Sequence, residues 1–211
     1  KGNRFFFYDK ELRPQEPIPF GRQIVSVNGF VRHPSGDLYL VGYCLQNGKI
    51  LHRFDATGQY LSSAVASLDL PPQQQGLSTG YLAVDPLDGT LWLSRLTPYE
   101  ILHLSVDGMM LQDPITRGPG TLPQTEAIGY RSFHYLNFDT ALKIAVIGDT
   151  IVNSYISANN QTYADVFTRD GMLVEEGIRS NDPRALAKRI GNGVFMRHFN
   201  AERLVEVWRT P

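Results

Sequence analysis

Five histidines, one cysteine and scattered carboxylates and amides are the groups in this 211-residue chain with chemistry to offer. The histidines are His33, His52, His103, His134 and His198. His52 and His103 stand in matching stretches, Ile50-Leu51-His52-Arg53-Phe54-Asp55-Ala56-Thr57-Gly58 and Ile101-Leu102-His103-Leu104-Ser105-Val106-Asp107-Gly108. A residue at a repeated position points first to a repeated packing role, ahead of catalysis or metal binding. His33 precedes Pro34 as Asp85 precedes Pro86, where polar side chains bond local backbone in turns. Asp55, Asp107 and Asp170 precede turn glycines by one to three positions and are expected to shape those turns. Cys44 has no partner for an internal disulfide, and no Cys/His spacing suggests zinc. It ends an apolar run and is expected as a small buried hydrophobe, since a reactive thiol needs an exposed, electropositive setting. G-x-S-x-G, Walker-type and G-x-G-x-x-G motifs are absent. Gly118-Pro119-Gly120 has neither Lys-Ser/Thr nor a helix pattern after it. Serine hydrolysis and nucleotide binding therefore find no support.

What must position these groups is an internal repeat. Gly29-Phe30-Val31-Arg32-His33-Pro34-Ser35-Gly36-Asp37-Leu38-Tyr39-Leu40 is echoed by Gly80-Tyr81-Leu82-Ala83-Val84-Asp85-Pro86-Leu87-Asp88-Gly89-Thr90-Leu91-Trp92-Leu93. Phe167 and Gly171 repeat Phe54 and Gly58 at a common offset. Each unit predicts four short antiparallel strands joined by turns. In the first they cover 24–33, 37–44, 50–55 and 59–65, with Asn47-Gly48 supplying a tight hairpin. In the second they cover 82–85, 90–96, 100–105 and 109–112. The units span 24–65, 80–115, 141–178 and 186–208, the last with three strands. Residues 5–9 and 12–18 resemble the last two strands of a further unit, so 1–20 completes another blade. The runs Leu38-Tyr39-Leu40-Val41 and Leu91-Trp92-Leu93 are apolar without alternation, as in strands buried on both faces. A two-sheet sandwich gives similar spacing but one polar face per strand. The expected fold is all-β, a β-propeller of four-stranded antiparallel blades with about four units in one domain over 1–211.

Two connections are long, 67–79 with Pro71-Pro72-Gln73-Gln74-Gln75 and 112–136 with Gly118-Pro119-Gly120 and Pro123. Either is a candidate lid, partner-binding loop or solvated insertion. Residues 182–188 are a candidate short helix, with Asp182 capping and Pro183 in the first turn.

The run from Phe30 to Leu61, with Pro-Ser-Gly-Asp, Leu-Tyr-Leu-Val and Ile-Leu-His-Arg-Phe-Asp-x-x-Gly-x-Tyr-Leu, resembles the NHL-type repeat of six-bladed β-propellers. The family's polar anchor at the end of each second strand is missing. Those ends here are Gly42, Arg95, Ser154 and His198. Arg95, Ser154 and His198 are accordingly the candidate binding residues, expected on one rim as part of a contact surface. The length suits three full units and two partial ones, less than six blades need. Two arrangements are open: the carboxy-terminal portion of a larger propeller, favoured because the amino end carries two strands of a blade, or a closed four-bladed ring.

The resemblance also implies a chemistry. Some six-bladed propellers are calcium-dependent lactonases, with Glu, Asn and Asp side chains converging on the channel, and calcium takes six to eight oxygens. Asn28, Asn137, Asp139, Asn153 and Asn181 are the candidates, scattered singly and equally suited to turns. No resident cofactor is expected outside that calcium alternative. With 20 basic and 21 acidic side chains and no basic cluster, the sequence points away from nucleic acid. No run of 18 apolar residues predicts a transmembrane helix. The leading expectation is a non-catalytic binding or assembly module presenting interblade loops to a protein partner, with a small-molecule ligand as a further option. A calcium-dependent lactonase-type hydrolase and a structural subunit of a larger complex are the alternatives.

Overall fold

Alternation within an apolar run decides which neighbour each side chain meets, and here both neighbours are sheets. The computed structural model describes residues 4–9, 11–19, 23–117, 124–129, 132–136, 139–157, 161–179, 188–191, 194–199 and 204–209, with 124–136 and 188–209 described by backbone alone. Strands β1 (Arg4–Phe5) and β2 (Ile18–Pro19) form an antiparallel pair. Strands β3 (Ile24–Arg32), β4 (Leu38–Cys44), β5 (Lys49–Phe54) and β6 (Tyr60–Ala66) form the first four-stranded sheet, in chain order. A second contains β7 (Gly80–Val84), β8 (Leu91–Arg95), β9 (Glu100–Leu104) and β10 (Ile115–Thr116). After the pair β11 (Gln124–Gly129) and β12 (Ser132–Leu136) comes a third, with β13 (Thr140–Ile147), β14 (Thr150–Ile156), β15 (Thr162–Thr168) and β16 (Leu173–Arg179). Strands β17 (Lys188–Gly191), β18 (Val194–Phe199) and β19 (Leu204–Arg209) make a three-stranded sheet. The chain is a β-propeller of antiparallel blades. The four-stranded sheets are called blades I, II and III below.

Leu38 and Leu40 turn to one side of blade I, where they meet Phe5 of β1 together with Ile24, Cys44 and Phe54. Tyr39 and Val41, their alternates, turn to the other side and pack with Leu82, Leu91, Leu93 and Leu104 of blade II. Trp92, between Leu91 and Leu93, faces the opposite way and joins Ile144, Ile151 and Phe167 of blade III. Continuous apolar runs are thus strands sandwiched between blades, which excludes a sheet with one wet face. The first strands of successive blades run close together. A Cβ on Gly29 of β3 would stand 3.0 Å from the Gly80 carbonyl oxygen at the start of β7. Cys44 is buried and outside any disulfide, as its place in the run leads one to expect.

The turn between third and fourth strands is built the same way four times. The amides of Asp55, Ser105 and Thr168 donate to the carbonyls of Gln59, Met109 and Met172, and the amides of Gly58, Gly108 and Gly171 donate back. These glycines have φ of +82°, +78° and +85°. Each sits against the fourth strand of the preceding element. An added Cβ would lie 2.0 Å from the Ile18 side chain, 2.2 Å from that of Ala64, and 3.1 Å from that of Ile115, respectively. Strand β2 therefore occupies the outer-strand place of a blade ahead of blade I. The fourth copy is the turn of the amino-terminal pair, where Asp9 and Arg13 make the same exchange and Leu12 stands at the glycine position with φ +61°. Leu12 is 80% exposed, with no close neighbour on its side chain among the described residues.

Several expectations need correction. The fourth strand of blade II is not at 109–112. Only a single bridge, Met110 to Leu104, forms there, and regular pairing resumes at Ile115 and Thr116, beyond Pro114, which has no amide hydrogen to donate. The connection 112–136 contains the strand pair β11–β12. The connection 67–79 is a 3-10 turn, Pro72–Ser78, packed down through buried Leu70 and Leu77, so it is neither a free lid nor a solvated loop. The candidate helix at 182–188 falls on residues outside those described, except Lys188, which opens β17. Strand β1 pairs with β2, and β19 with β18.

The stacking predicts a ranking. Gly108→Ala incurs both the left-handed backbone penalty and a close contact with Ala64, together about 2–4 kcal/mol. Gly148→Ala, at φ +58° with nothing within 4 Å, incurs only the backbone term, about 1 kcal/mol. Urea midpoints at equal slopes measure this. Equal losses at the two sites would show that blade contact is not what excludes a side chain from the turn.

Candidate functional site

Arg95, Ser154 and His198 do end successive second strands, but the first two point inward. Arg95 closes β8 and is buried. It is ion-paired with Glu100 across the hairpin, donates from Nη1 to the Ser78 carbonyl at 3.0 Å and from Nη2 to the Ala66 carbonyl at 3.2 Å. The guanidinium thus ties the connection 67–79 to the end of blade I. Ser154 is equally buried, paired in register between Lys143 and Ala164. His198 lies opposite Val205 in β18–β19, and its side chain is outside the description. No shared open rim brings Arg95 and Ser154 together.

The repeated histidines are both packed, in different settings. His52 is fully buried, with Nδ1 2.7 Å from Ser63 Oγ and Nε2 2.9 Å from the Gly42 carbonyl. His103 stacks on Trp92 at 4.0 Å and meets Thr90 Oγ1 through Nε2. His33 accepts the Ser35 amide at Nδ1, so its Nε2 hydrogen donates to the Gly89 carbonyl in blade II. Asp85 caps its own turn through the Leu87 amide and receives Arg169 of blade III at 2.9 Å. Both turn residues therefore also staple adjacent blades. Asp55 shapes its turn through the Thr57 and Gln59 amides. In the equivalent turns that work falls to Ser105 and Thr168, while Asp107 pairs with Arg53 of blade I.

The densest polar cluster lies between blades II and III. Asp165 stands alone in the apolar strand β15 and is fully buried. Its Oδ2 accepts from Tyr99 and from Arg117 Nη1, both at 2.9 Å. Its Oδ1 accepts from the Gly177 amide at 2.8 Å and from Tyr155 at 3.3 Å. Arg117 also pairs with Glu176 and lies 5.1 Å from the Tyr155 ring centre. Burial, and then the Asp165 charge, push the Tyr99 phenol far above its ordinary value. Burial likewise pushes Tyr155 up to about 12, with the Arg117 hydrogen bond opposing and Asp165 adding to the rise. Partial burial works against the Arg117 charge, but the Tyr155 hydrogen bond and the Asp165 and Glu176 carboxylates outweigh it and hold the guanidinium charged. Two neutral phenols and a charged guanidinium around one carboxylate make a clasp across the blades. The sequence signal for it was available: a lone Asp inside Tyr163-Ala164-Asp165-Val166-Phe167 needs buried partners.

Among the calcium candidates, Asn28 uses its amide hydrogens on Thr79 Oγ1 at 2.6 Å and on the Ser26 carbonyl. Asn153 is buried with Oδ1 lacking a partner. Asp139 is half-buried. Asn137 and Asn181 lie outside the described residues. Among the described residues no three His, Cys, Asp or Glu side chains gather as a metal-holding group.

The outer rim is different, because its side chains leave the fold. Past the third-to-fourth-strand turn each fourth strand is irregular at the same place. In blade I, Phe54 pairs with Tyr60 and Arg53 with Ser62, leaving Leu61 as the extra residue of a bulge. In blade III, Phe167 pairs with Leu173 and Val166 with Glu175, leaving Val174. In blade II, Leu111 follows the Met110 bridge and its amide donates to the His103 carbonyl. A bulge re-aims the side chain it carries. Leu61, Leu111 and Val174, each three residues past the turn glycine, are 48%, 49% and 58% exposed.

No family model matches the chain, and no curated protein matches it. Its fold is similar to that of a catalytically inactive virginiamycin B lyase from Staphylococcus aureus crystallised with quinupristin, at TM-score 0.52 and 12% identity over all of this chain and 64% of that one. Other similar structures are a streptogramin B lyase, at 0.45 and 12% over all of this chain and 77% of that one, and the WD40 β-propeller domain of Doa1, at 0.44 and 12% over 90% and 53%. The chain thus spans just under two thirds of the length of the first of these, and at such identity the likeness speaks for the propeller fold. No helix among the described residues is long and apolar enough to cross a membrane.

Two outcomes follow from the clasp. Asp165→Ala strands two buried hydroxyls, an amide and a guanidinium, at a cost of about 2–4 kcal/mol. That lowers the melting temperature by roughly 5–15 °C. A shift within a degree or two would mean the cluster does not hold the blades together. Tyr99 and Tyr155 titrate higher when folded than when unfolded, so the stability they give is complete below about pH 10 and fades above it, over a window reaching about 12 for Tyr155. Urea midpoints at rising alkaline pH should fall in the parent protein and fall less steeply in Tyr99→Phe and Tyr155→Phe.

Proposed function

We propose that this propeller is a binding module that engages a protein partner through its outer rim. The observation that carries the reading is the exposed aliphatic side chain at one equivalent position on three consecutive blades, Leu61, Leu111 and Val174. Exposed apolar residues scattered singly are ordinary; the same place used three times in succession along a rim forms a surface. The polar groups support the same reading from the other side, since Arg95, Arg53, Arg169, Asp85 and Asp165 are spent on contacts between elements of the fold. The repeat itself we take as NHL-type, on Leu38-Tyr39-Leu40-Val41 followed by Ile50 to Asp55 and Gly58. The role of Arg95 is in this reading to hold the connection 67–79 in place, while Ser154 and His198 stand at the corresponding points of blade III and the last sheet. Membership in a larger complex is the same proposal at the scale of an assembly.

A calcium site at the channel is the second reading, favoured by the unpartnered buried Asn153 Oδ1. One such oxygen falls far short of the six to eight that calcium takes, which puts this reading second. Millimolar calcium should leave the melting temperature unchanged if the channel holds no such site, and a rise of several degrees would restore the hydrolase reading.

The rim reading is tested with Leu61→Arg, Leu111→Arg and Val174→Arg combined, against Leu87→Arg, another exposed apolar position. Proteins retained by the parent and by the Leu87 variant should be lost from the triple variant while its melting temperature stays within about 2 °C, as surface changes allow. Unchanged retention would remove the rim as the contact surface.

A further inference from the structure

Blades II and III carry more apolar surface at this rim than the repeated position alone. The chain leaves the turn of blade II through Met109, Met110 and Leu111, and that of blade III through Met172, Leu173 and Val174. All six are exposed, Met109 to 71% and Met172 to 62%. The two stripes are neighbours, because the turn that starts the second is seated on the segment that follows the first. A Cβ on Gly171, next to Met172, would lie 3.5 Å from Gln112 Nε2, next to Leu111. None of the six side chains joins a buried core cluster.

The charges around the stripes are one-sided. Asp113, Asp170 and Glu175 are exposed beside them. The two cations of the same stretches are drawn elsewhere: Arg117 to Asp165 and Glu176, and Arg169 to Asp85 and the Gly148 carbonyl. What remains toward solvent is a thioether and aliphatic surface edged by carboxylates that those guanidiniums do not neutralise. Methionine adapts its shape to an incoming apolar face, and an acidic edge attracts cations and repels acidic partners. An amphipathic helix with a basic polar side meets both requirements at once.

Resting on the reading of the rim as a contact surface, we propose that Met109–Leu111 and Met172–Val174 together dock a cationic amphipathic helix. Its apolar face covers the methionines, and its Lys or Arg side chains reach Asp113, Asp170 and Glu175.

The chain has four methionines, three of them in the patch, so methyl-labelled methionine gives a resolved reporter. The probe is a designed Leu/Lys amphipathic peptide of about 18 residues, five helical turns. Its control is the same peptide with Glu for Lys. The Leu/Lys peptide should shift and saturate the Met109, Met110 and Met172 methyl signals, assigned by single Met→Leu changes. Its affinity should fall about fivefold or more between about 50 and about 300 mM salt. Asp113→Lys with Glu175→Lys, both exposed, should weaken it about tenfold at unchanged melting temperature. Equal or tighter binding of the Leu/Glu peptide would overturn the cationic partner and leave the rim as a contact surface. Silence of the three methyls with both peptides would overturn the rim reading as well. Shifts that depend on protein concentration without peptide would assign the patch to a second copy of this chain and overturn the proposal.

Discussion

Every other feature of this propeller depends on one contact: the turn between third and fourth strands pressed on the outer strand of the blade before it. That contact leaves no room for a side chain. Gly58, Gly108 and Gly171 meet Ile18, Ala64 and Ile115 at distances where a Cβ must displace something. The left-handed φ of the turn selects glycine for a second, independent reason. The first turn keeps the same hydrogen bonds and a positive φ with Leu12 in place of glycine. There the leucine side chain is exposed. At Gly58, Gly108 and Gly171 the left-handed backbone and the contact between blades act together.

Close approach of blades obliges their polar groups to find partners across the seam. The Tyr39 hydroxyl donates to the Val106 carbonyl, Arg53 bridges Asp37 and Asp107, His33 reaches the Gly89 carbonyl, and Arg169 reaches Asp85. Between blades II and III the same need is met by the Asp165 cluster. Hydrophobic stacking is non-directional and would tolerate sliding of one sheet over the next. A buried carboxylate with four donors does not, since any slip strands it. The apolar clusters hold the blades together and the seam bonds fix their register.

The sequence disclosed what is local or repeated. Strand runs, the Asn47-Gly48 hairpin, the half-blade at the amino end and the equivalence of the turn glycines follow from patterns within a few residues or from one unit echoing another. What it hid depends on a neighbour far along the chain. Arg95 was legible as polar at a strand end, but its burial follows from carbonyls at Ala66 and Ser78, which the connection 67–79 folds back to deliver. The outer strand of blade II was misplaced because apolar Met109, Met110 and Leu111 match a strand pattern, while Pro114 delays regular pairing to Ile115. Likewise 112–136 carries strands β11 and β12 where turn-forming residues pointed to a loop. His52 and His103 shared a repeat position without sharing an environment, since Ser63 stands beside one and Trp92 beside the other.

The bulge explains how a fold so committed to internal contacts turns apolar side chains outward at its rim. A regular fourth strand would alternate its side chains, one set onto the neighbouring blade and one set away. One extra residue breaks that alternation just beyond the stacked turn and sends its side chain outward without altering the pairs on either side. That residue then stands about half exposed. In the amino-terminal pair the amide at Gln15 donates to the Phe7 carbonyl as Leu111 does to His103, yet the residue there is polar. The same backbone position thus holds Gln15 in one turn and Leu111 in another. In blades I, II and III that position carries Leu61, Leu111 and Val174, each about half exposed, and this is the observation on which the proposed rim contact rests.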